Sequence, residues 1–354
     1  MRVLIATDAW HPQINGVVRT LSAVRDAAAT MGVEISFITP AEFPTVPMPG
    51  YPEIALALPR AGEVARRIAE ASPDAIHIAT EGPIGYFVRR YCLANRRPFT
   101  TSFHTRLPDY ISARVPVPEA WTWRWLRGFH NAGNGVMAST PTLVAELAAR
   151  GFANIHLWPR GVDTVLFRPQ ADAALDLPRP IFLNVGRIAV EKNLEAFLAL
   201  DLPGSKVVVG DGPARAALQA RFPSAVFLGA QQGPALARVY AAADAFVFPS
   251  RTDTYGLVLL EALASGLPVA AFPVQGPIDV IGRAPVGVLA EDLRAAALLA
   301  LNVPREACRA FALQQSWQAS ARRFLVNIEA AGACRTAASI SRVTRVKERP
   351  SFAA

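Results

Sequence analysis

The sequence predicts an α/β protein built from two Rossmann-like domains in succession, facing across a cleft. Three observations predict it. Short β-branched or aromatic runs alternate with helix-period stretches along most of the chain, the pattern of βαβ units and parallel sheets. The alternation pauses near residue 169, in a segment that closes in Pro-Arg-Pro, and resumes at Ile181. In the second set, an apolar run from Ala245 to Phe248 leads directly into Pro249 to Pro268, P-S-R-T-D-T-Y-G-L-V-L-L-E-A-L-A-S-G-L-P. There Asp253, Gly256 and Glu261 surround a helix start. A strand end feeding a helix N-terminus is where open α/β sheets bind ligands, because the first helical N–H groups point into the crevice.

Composition sets the bounds. The 354 residues give room for two ordinary domains. Hydrophobic residues make up 52% and charged ones 18%, which supplies a large core and excludes a disordered chain. The charge is +8, from 36 basic and 28 acidic residues, and lysine occurs only at Lys192, Lys206 and Lys347. Arginine-rich usage fits either genome composition or contact with phosphates and anionic surfaces. Cys92, Cys308 and Cys334 make no metal spacing and fit a reducing cytoplasm. The N-terminal run is too short for a signal peptide and ends in Asp8. No run approaches the roughly 18 apolar residues of a membrane span, so a cytoplasmic protein is expected, with any membrane contact peripheral.

The elements follow in order. Val3 to Ala6 reads as a buried strand, followed by the loop T-D-A-W-H-P-Q-I-N-G-V-V, a helix from Arg19 to Thr30 and a strand from Val33 to Ile38. The loop holds a solitary glycine, Gly16, and no G-x-G-x-x-G, so it serves either as a turn or as a close backbone approach to a ligand. Phe43 to Pro59, with five prolines, reads as a loop. A helix from Gly62 to Ala71, a strand from Ala75 to Ile78 and a helix from Gly82 to Ala94 come next. The strand Phe99 to Phe103 runs into His104, on the ligand edge of a parallel sheet. Val136 to Ser139 is a strand, and Thr140 with Pro141 starts a helix. Ile155 to Leu157 is the last strand of the first domain, expected over 1–168.

Residues 169–178 read as the linker and 179–310 as the second domain. Its strands are Ile181 to Val185, Lys206 to Val209, Val226 to Leu228, Ala245 to Phe248 and Pro268 to Phe272, with helices between and a loop at Gly276, Pro277 and Asp279. An amphipathic helix over 311–330 and a disordered tail over 331–354 complete the expectation.

Between Tyr86 and His130 lie eight arginines and two acids, together with Trp121, Trp123 and Trp125. Arg89, Arg90, Arg96 and Arg97 beside these tryptophans fit an interfacial belt on anionic lipid. A helix packing its aromatics into the core is the alternative, and nucleic acid would use a similar mixture. In the second domain, Arg187 and Lys192 follow a strand and suit a diphosphate. Gly256 and Leu257 offer backbone N–H groups to the same anion, and Asp253 and Glu261 accept from hydroxyls. Surface ion pairing is the plain alternative for the charged members.

Taken in order, these pieces resemble the family-four glycosyltransferases of the GT-B fold. The pieces are V-G-R-I-A-V-E-K-N (185–193), V-V-G-D-G-P (208–213), the 249–269 stretch, T-D-A-W-H-P-Q-I-N-G-V (7–17), T-S-F-H-T (101–105) and R-G-V-D (160–163), with Trp317 opening a C-terminal helix. Each motif alone is weak; the ordered set is specific, and its start is most like the glycolipid-forming and GDP-mannose-dependent bacterial members. In the family the long stretch carries two glutamates with seven residues between them. Here the first is Asp253.

The resemblance implies a retaining enzyme using a UDP- or GDP-linked sugar as substrate, with no cofactor; the sequence has no D-x-D triplet, so no metal requirement is expected. It implies Arg187 and Lys192 on the donor diphosphate, Asp253 on the transferred sugar and Glu261 on the ribose. Tyr255, Gly256 and Leu257 would present backbone to sugar and phosphate, Gly16 would lie against the diphosphate, and His104 would sit near the reacting carbon. The last helix is expected to cross back to the first domain. The expected acceptor is a membrane lipid, diacylglycerol first, at an anionic surface, with no nucleic acid partner. GDP-mannose-dependent transfer to another lipid or a polysaccharide, and a non-catalytic nucleotide-sugar binder, are the alternatives.

Overall fold

The computed structural model describes residues 1–13, 16–48, 51–104, 118–253 and 255–332. Two compact units divide the chain: Met1–Pro159 with Gln318–Ala354, and Arg160–Trp317.

The first unit opens on β1 (Arg2–Ala6), whose last four residues are all buried. The helix α1 (Gly16–Ala29) and β2 (Glu34–Ile38) complete the first βαβ unit. The proline-rich segment forms an antiparallel hairpin, β3 (Thr45–Met48) and β4 (Tyr51–Ala57), where a loop was expected. In a two-stranded ribbon each strand keeps a free edge, so prolines are accommodated there. Then follow α2 (Ala61–Ala71), β5 (Ala75–Ile78), α3 (Pro83–Ala94), β6 (Thr100–Phe103), α4 (Glu119–His130), β7 (Gly135–Ala138), α5 (Pro141–Ala149) and β8 (Ile155–Leu157). The expected cap of α5 is present: Thr140 Oγ1 accepts from the Leu143 N–H at 3.2 Å, an interaction worth about 1 kcal/mol. The sheet order is β2-β1-β5-β6-β7-β8, with every pair parallel.

The second unit repeats the scheme. It contains β9 (Ile181–Val185), α6 (Leu194–Leu198), β10 (Ser205–Val209), α7 (Arg215–Arg221), β11 (Val226–Gly229), α8 (Gly233–Ala242) and β12 (Ala245–Phe248). It continues through α9 (Leu257–Ala264), β13 (Val269–Ala271), α10 (Gln275–Val280), β14 (Gly287–Leu289), α11 (Leu293–Ala300) and α12 (Arg305–Leu313). The order β11-β10-β9-β12-β13-β14 is parallel throughout. Alternate residues serve opposite faces, as the strand period requires. Ile181, Leu183, Phe246 and Phe248 join one buried cluster, and Phe182, Ala245 and Val247 the other. The segment at Gly276 is helical, not a loop.

Sequence reading put the first domain's end at residue 168. Val162 and Phe167 are instead buried in the second unit's core. The helix expected over 311–330 is two helices, α12 and α13 (Trp317–Ala330). The break is held by Val162, whose N–H donates to the Gln315 carbonyl at 2.8 Å and which pairs with Ser316. Gly161 permits this approach, since a Cβ there would stand 2.6 Å from the Trp317 nitrogen. From Gln318 onward α13 belongs to the first unit. Of the expected tail, residues 333–354, Cys334 among them, lie outside the described residues.

Candidate active site

In the second unit the chain leaves β9 toward β10 on one side and reaches β12 on the other. The loops after these two strands therefore diverge, and this switch point is the ligand crevice of doubly wound sheets. The loop after β9 carries Arg187 and a single 3₁₀ turn, Val190–Lys192, which stops at Asn193 in the left-handed region (φ 51°). The loop after β12 carries Asp253, Tyr255 and Gly256. The two loops are laced together. Asn193 Nδ2 donates to the Pro249 carbonyl at 3.1 Å, and Thr252 Oγ1 donates to the Glu191 carbonyl at 3.2 Å. The Lys192 ammonium donates to Asp253 Oδ1. Asp253 Oδ2 is buried with no hydrogen-bond partner among the described residues. Arg187 is exposed, with no ion-pair partner among the described residues.

Gly256 caps α9 in a left-handed conformation (φ 78°), which L side chains resist. Leu257 opens the helix, so its N–H is among those without an intrahelical acceptor. Glu261 lies one turn on and is only 2% exposed. Tyr240 of α8 donates its hydroxyl to Glu261 Oε2 at 3.0 Å. Buried carboxylates require such partners. The Tyr255 hydroxyl reaches the Arg160 carbonyl at 3.5 Å, and burial pushes the phenol up to about 12. Gly276 lies directly behind Asp253, where an added Cβ would stand 2.7 Å from the Asp253 carbonyl oxygen. Thr254 lies outside the described residues.

Two sequence-predicted residues lie in the first unit. Gly16 begins α1, and its carbonyl accepts from Thr20 Oγ1 at 2.7 Å. Its neighbours 14–15 lie outside the described residues, as does Thr105. His104 follows β6 and packs edge-on to Trp158, with ring centroids 5.8 Å apart. At the switch point of this sheet Asp8 follows β1. Its carboxylate accepts from Thr80 Oγ1 and from the Ile84 and Gly85 N–H groups at the start of α3. Burial raises its pKa against those hydrogen bonds. This clamp was not legible from the sequence, where Asp8 is one acid in a loop.

The model of Glycosyltransferase Family 4 matches residues 14–166, and that of Glycosyl transferases group 1 matches 179–302. A GDP-mannose-dependent alpha-mannosyltransferase of Mycobacterium tuberculosis is 32% identical over 82% of this chain and 83% of its own length. The chain is a family 4 glycosyltransferase. An alpha-monoglucosyldiacylglycerol synthase of Streptococcus pneumoniae is 25% identical over 77% of this chain and 71% of its own. The fold is GT-B. A sucrose-phosphate synthase structure from Thermosynechococcus elongatus superposes with a TM-score of 0.73 at 19% identity, covering 94% of this chain and 99% of that one. The substrate of this glycosyltransferase is a nucleotide sugar.

The arginine and tryptophan region of the glycosyltransferase divides in two. Trp121 is 71% and Trp125 47% exposed, but Trp123 is 6% exposed. Trp123 stacks on Phe103, donates to Glu119 Oε1 at 2.7 Å and lies beneath the Arg150 guanidinium. It is a core residue, correcting its assignment to an interface. On a helix, 121, 125 and 128 share one face while 122, 126 and 129 share the other, and 123 falls with the buried set. Arg89 donates to the Phe129 and Gly128 carbonyls at the end of α4, and Arg97 donates to the Pro73 carbonyl. Both hold backbone together, and only Arg90 and Arg96 of the expected four stand exposed. Tyr86, Trp121, Arg124, Trp125 and Gly128 border an open groove of about 510 Å³. Among the described residues, no three His, Cys, Asp or Glu side chains gather as a metal site, and no helix is long and apolar enough to cross a membrane.

Proposed function

We propose that this enzyme transfers mannose from GDP-mannose, with retention of anomeric configuration, to a lipid acceptor at an anionic membrane surface. The observation that carries the chemistry is the laced pair of loops at the second unit's switch point. There Lys192 draws Asp253 into place and leaves one carboxylate oxygen for a sugar hydroxyl. Arg187 and Lys192 supply positive charge to the departing nucleotide, the largest electrostatic requirement of glycosyl transfer, and take the part a metal ion would otherwise play. The first N–H groups of α9 face the same anion. Glu261, held by Tyr240, binds the ribose. His104 contacts the transferred sugar near the reacting carbon, and Gly16 approaches the diphosphate. No carboxylate is assigned as nucleophile, so the leaving phosphate takes the acceptor's proton on the face it departs from.

The GDP-mannose reading rests on the mannosyltransferase relatives. The lipid reading rests on the exposed face of α4, where Trp121 and Trp125 flank Arg124. Indoles at headgroup depth with guanidiniums on phosphate are the usual interfacial arrangement. A second reading, hexosyl or hexuronosyl transfer from a UDP-sugar to diacylglycerol, is favoured by the diacylglycerol-glycosylating relative.

One experiment separates them. Purified enzyme is given GDP-mannose, UDP-glucose, UDP-galactose or UDP-glucuronate with lipid extract, and the product's acceptor and anomer are read by mass spectrometry and NMR. Mannosyl lipid with the donor's α configuration is expected. A β product overturns retention, and transfer only from a UDP-sugar establishes the second reading. Co-sedimentation with phosphatidylglycerol vesicles is expected for the wild type and reduced at least fivefold in a Trp121→Ala/Trp125→Ala variant. Failure to bind or be stimulated by vesicles overturns the lipid acceptor.

A further inference from the structure

Trp158 is fully buried. Its backbone N–H donates to the Ala138 carbonyl at 2.7 Å, just past β8. Its indole N–H donates to Ser320 Oγ on α13 at 3.2 Å, and Ser320 Oγ donates onward to the Pro159 carbonyl at 2.7 Å. Phe324, one turn further along α13, lies against the indole at 4.8 Å. The buried His77 meets both rings edge-on, at 5.9 Å and 4.9 Å. His77 is itself held between Thr100 Oγ1 and Ser102 Oγ, each at 2.8 Å. His104 also packs against the indole, edge to face.

We infer that Trp158 is a positioning residue for His104, and that Ser320 on the last helix fixes Trp158 for that task. A residue at a strand end has one backbone anchor, and its ring orientation is set by what it packs on. Interiors are close-packed, so a displaced indole cannot be replaced by empty space without the imidazole following it. A shift of about 1 Å in a group beside the reacting atoms costs up to a hundredfold in rate. The last helix thus does more than complete the first unit's core, because its hydroxyl at residue 320 reaches His104 through one indole. The inference rests on the reading of His104 as a contact of the transferred sugar.

The test is a double-mutant cycle between residues 158 and 104. Steady-state kcat and donor KM are measured for wild type, Trp158→Phe, Ser320→Ala, His104→Ala and the two combinations with His104→Ala. Trp158→Phe is expected to lower kcat about tenfold and Ser320→Ala about threefold, with donor KM unchanged within twofold. In the His104→Ala background neither is expected to lower kcat further. A merely structural role would lower the active fraction equally in both backgrounds, so equal losses overturn the inference. Wild-type turnover by His104→Ala overturns the reading of His104 and the inference with it.

Should Trp158→Phe fail to fold, Ser320→Ala removes only a hydroxyl and carries the cycle. Where His104→Ala turnover falls below detection, imidazole NMR signals decide. Ser320→Ala is expected to shift those of His104 and leave those of His11 in place, and unmoved His104 signals overturn the inference.

Discussion

Lys192 Nζ donates to Asp253 Oδ1, joining the loop after β9 to the loop after β12. The sequence gives these residues separate tasks, a cation for phosphate and an acid for sugar. The structure makes them one unit. The ammonium fixes the carboxylate, and the carboxylate's other oxygen is buried without a hydrogen-bond partner among the described residues. A buried acceptor left unpaired is costly, so the arrangement is poised for a hydroxyl donor.

Lys192→Ala and Asp253→Asn are each expected to lower kcat by about 10²–10³, the range for losing a preorganised electrostatic contact. The double variant is expected to lose little more than either single one, because both changes disable the same unit. Multiplicative losses in steady-state kinetics would show that the two residues act separately.

Tyr240→Phe removes a hydroxyl that donates to Glu261. A hydrogen bond of this kind is worth about 0.5–1.5 kcal/mol, so donor KM is expected to rise roughly two- to tenfold. With Glu261 in the proposed ribose-binding role, away from the reacting carbon, kcat is expected to stay within twofold. A fall in kcat at constant KM would place Glu261 at the reaction centre instead.

Two glycines make a matched pair. Gly276→Ala puts a Cβ against the Asp253 carbonyl, and overpacking against backbone costs about 1–3 kcal/mol. A lower melting temperature and reduced turnover are expected. Gly62 in α2 has open space where a Cβ would go, so Gly62→Ala is expected to stabilise by up to about 1 kcal/mol and leave turnover unchanged. Calorimetry and kinetics on both variants check this.

Burial lowers the pKa of His156 below its ordinary 6.5. Its ring lies against Gly135, where a Cβ would stand 2.8 Å from Cδ2. The unfolded chain therefore takes up this proton before the folded one does. Stability is expected to be unaffected by this group above pH 6.5, to fall as the pH drops below it, and to stop falling below the folded pKa. Urea midpoints between pH 7 and pH 5 are expected to show a shallower decline for His156→Gln than for the wild type.

Much of this was legible along the chain. Every strand marked by a β-branched run exists within a residue or two. The order of elements implied two parallel sheets, and Arg187, Lys192 and Asp253 lie in the loops that follow β9 and β12, as the spacing of the motifs places them. Local periodicity and turn chemistry carry that information, and both are written in neighbouring residues. The hairpin at residues 45–57 was missed because prolines count against strands until the ribbon's free edges are known.

What the sequence determined alone was the fold class, the family and the roster of chemical groups. Tertiary structure decided their partnerships. The pairing of Lys192 with Asp253 joins positions on two loops after separate strands. The clamp on Glu261 comes from the neighbouring helix α8, and the support of His104 comes through Trp158 from α13 at the other end of the chain. It also decided that Trp123 is core while Trp121 and Trp125 face water, although the three alternate along one short segment. The reason is that a side chain's partner is chosen by sheet order and helix rotation. Those follow from the packing of the whole unit and are not encoded at any one position.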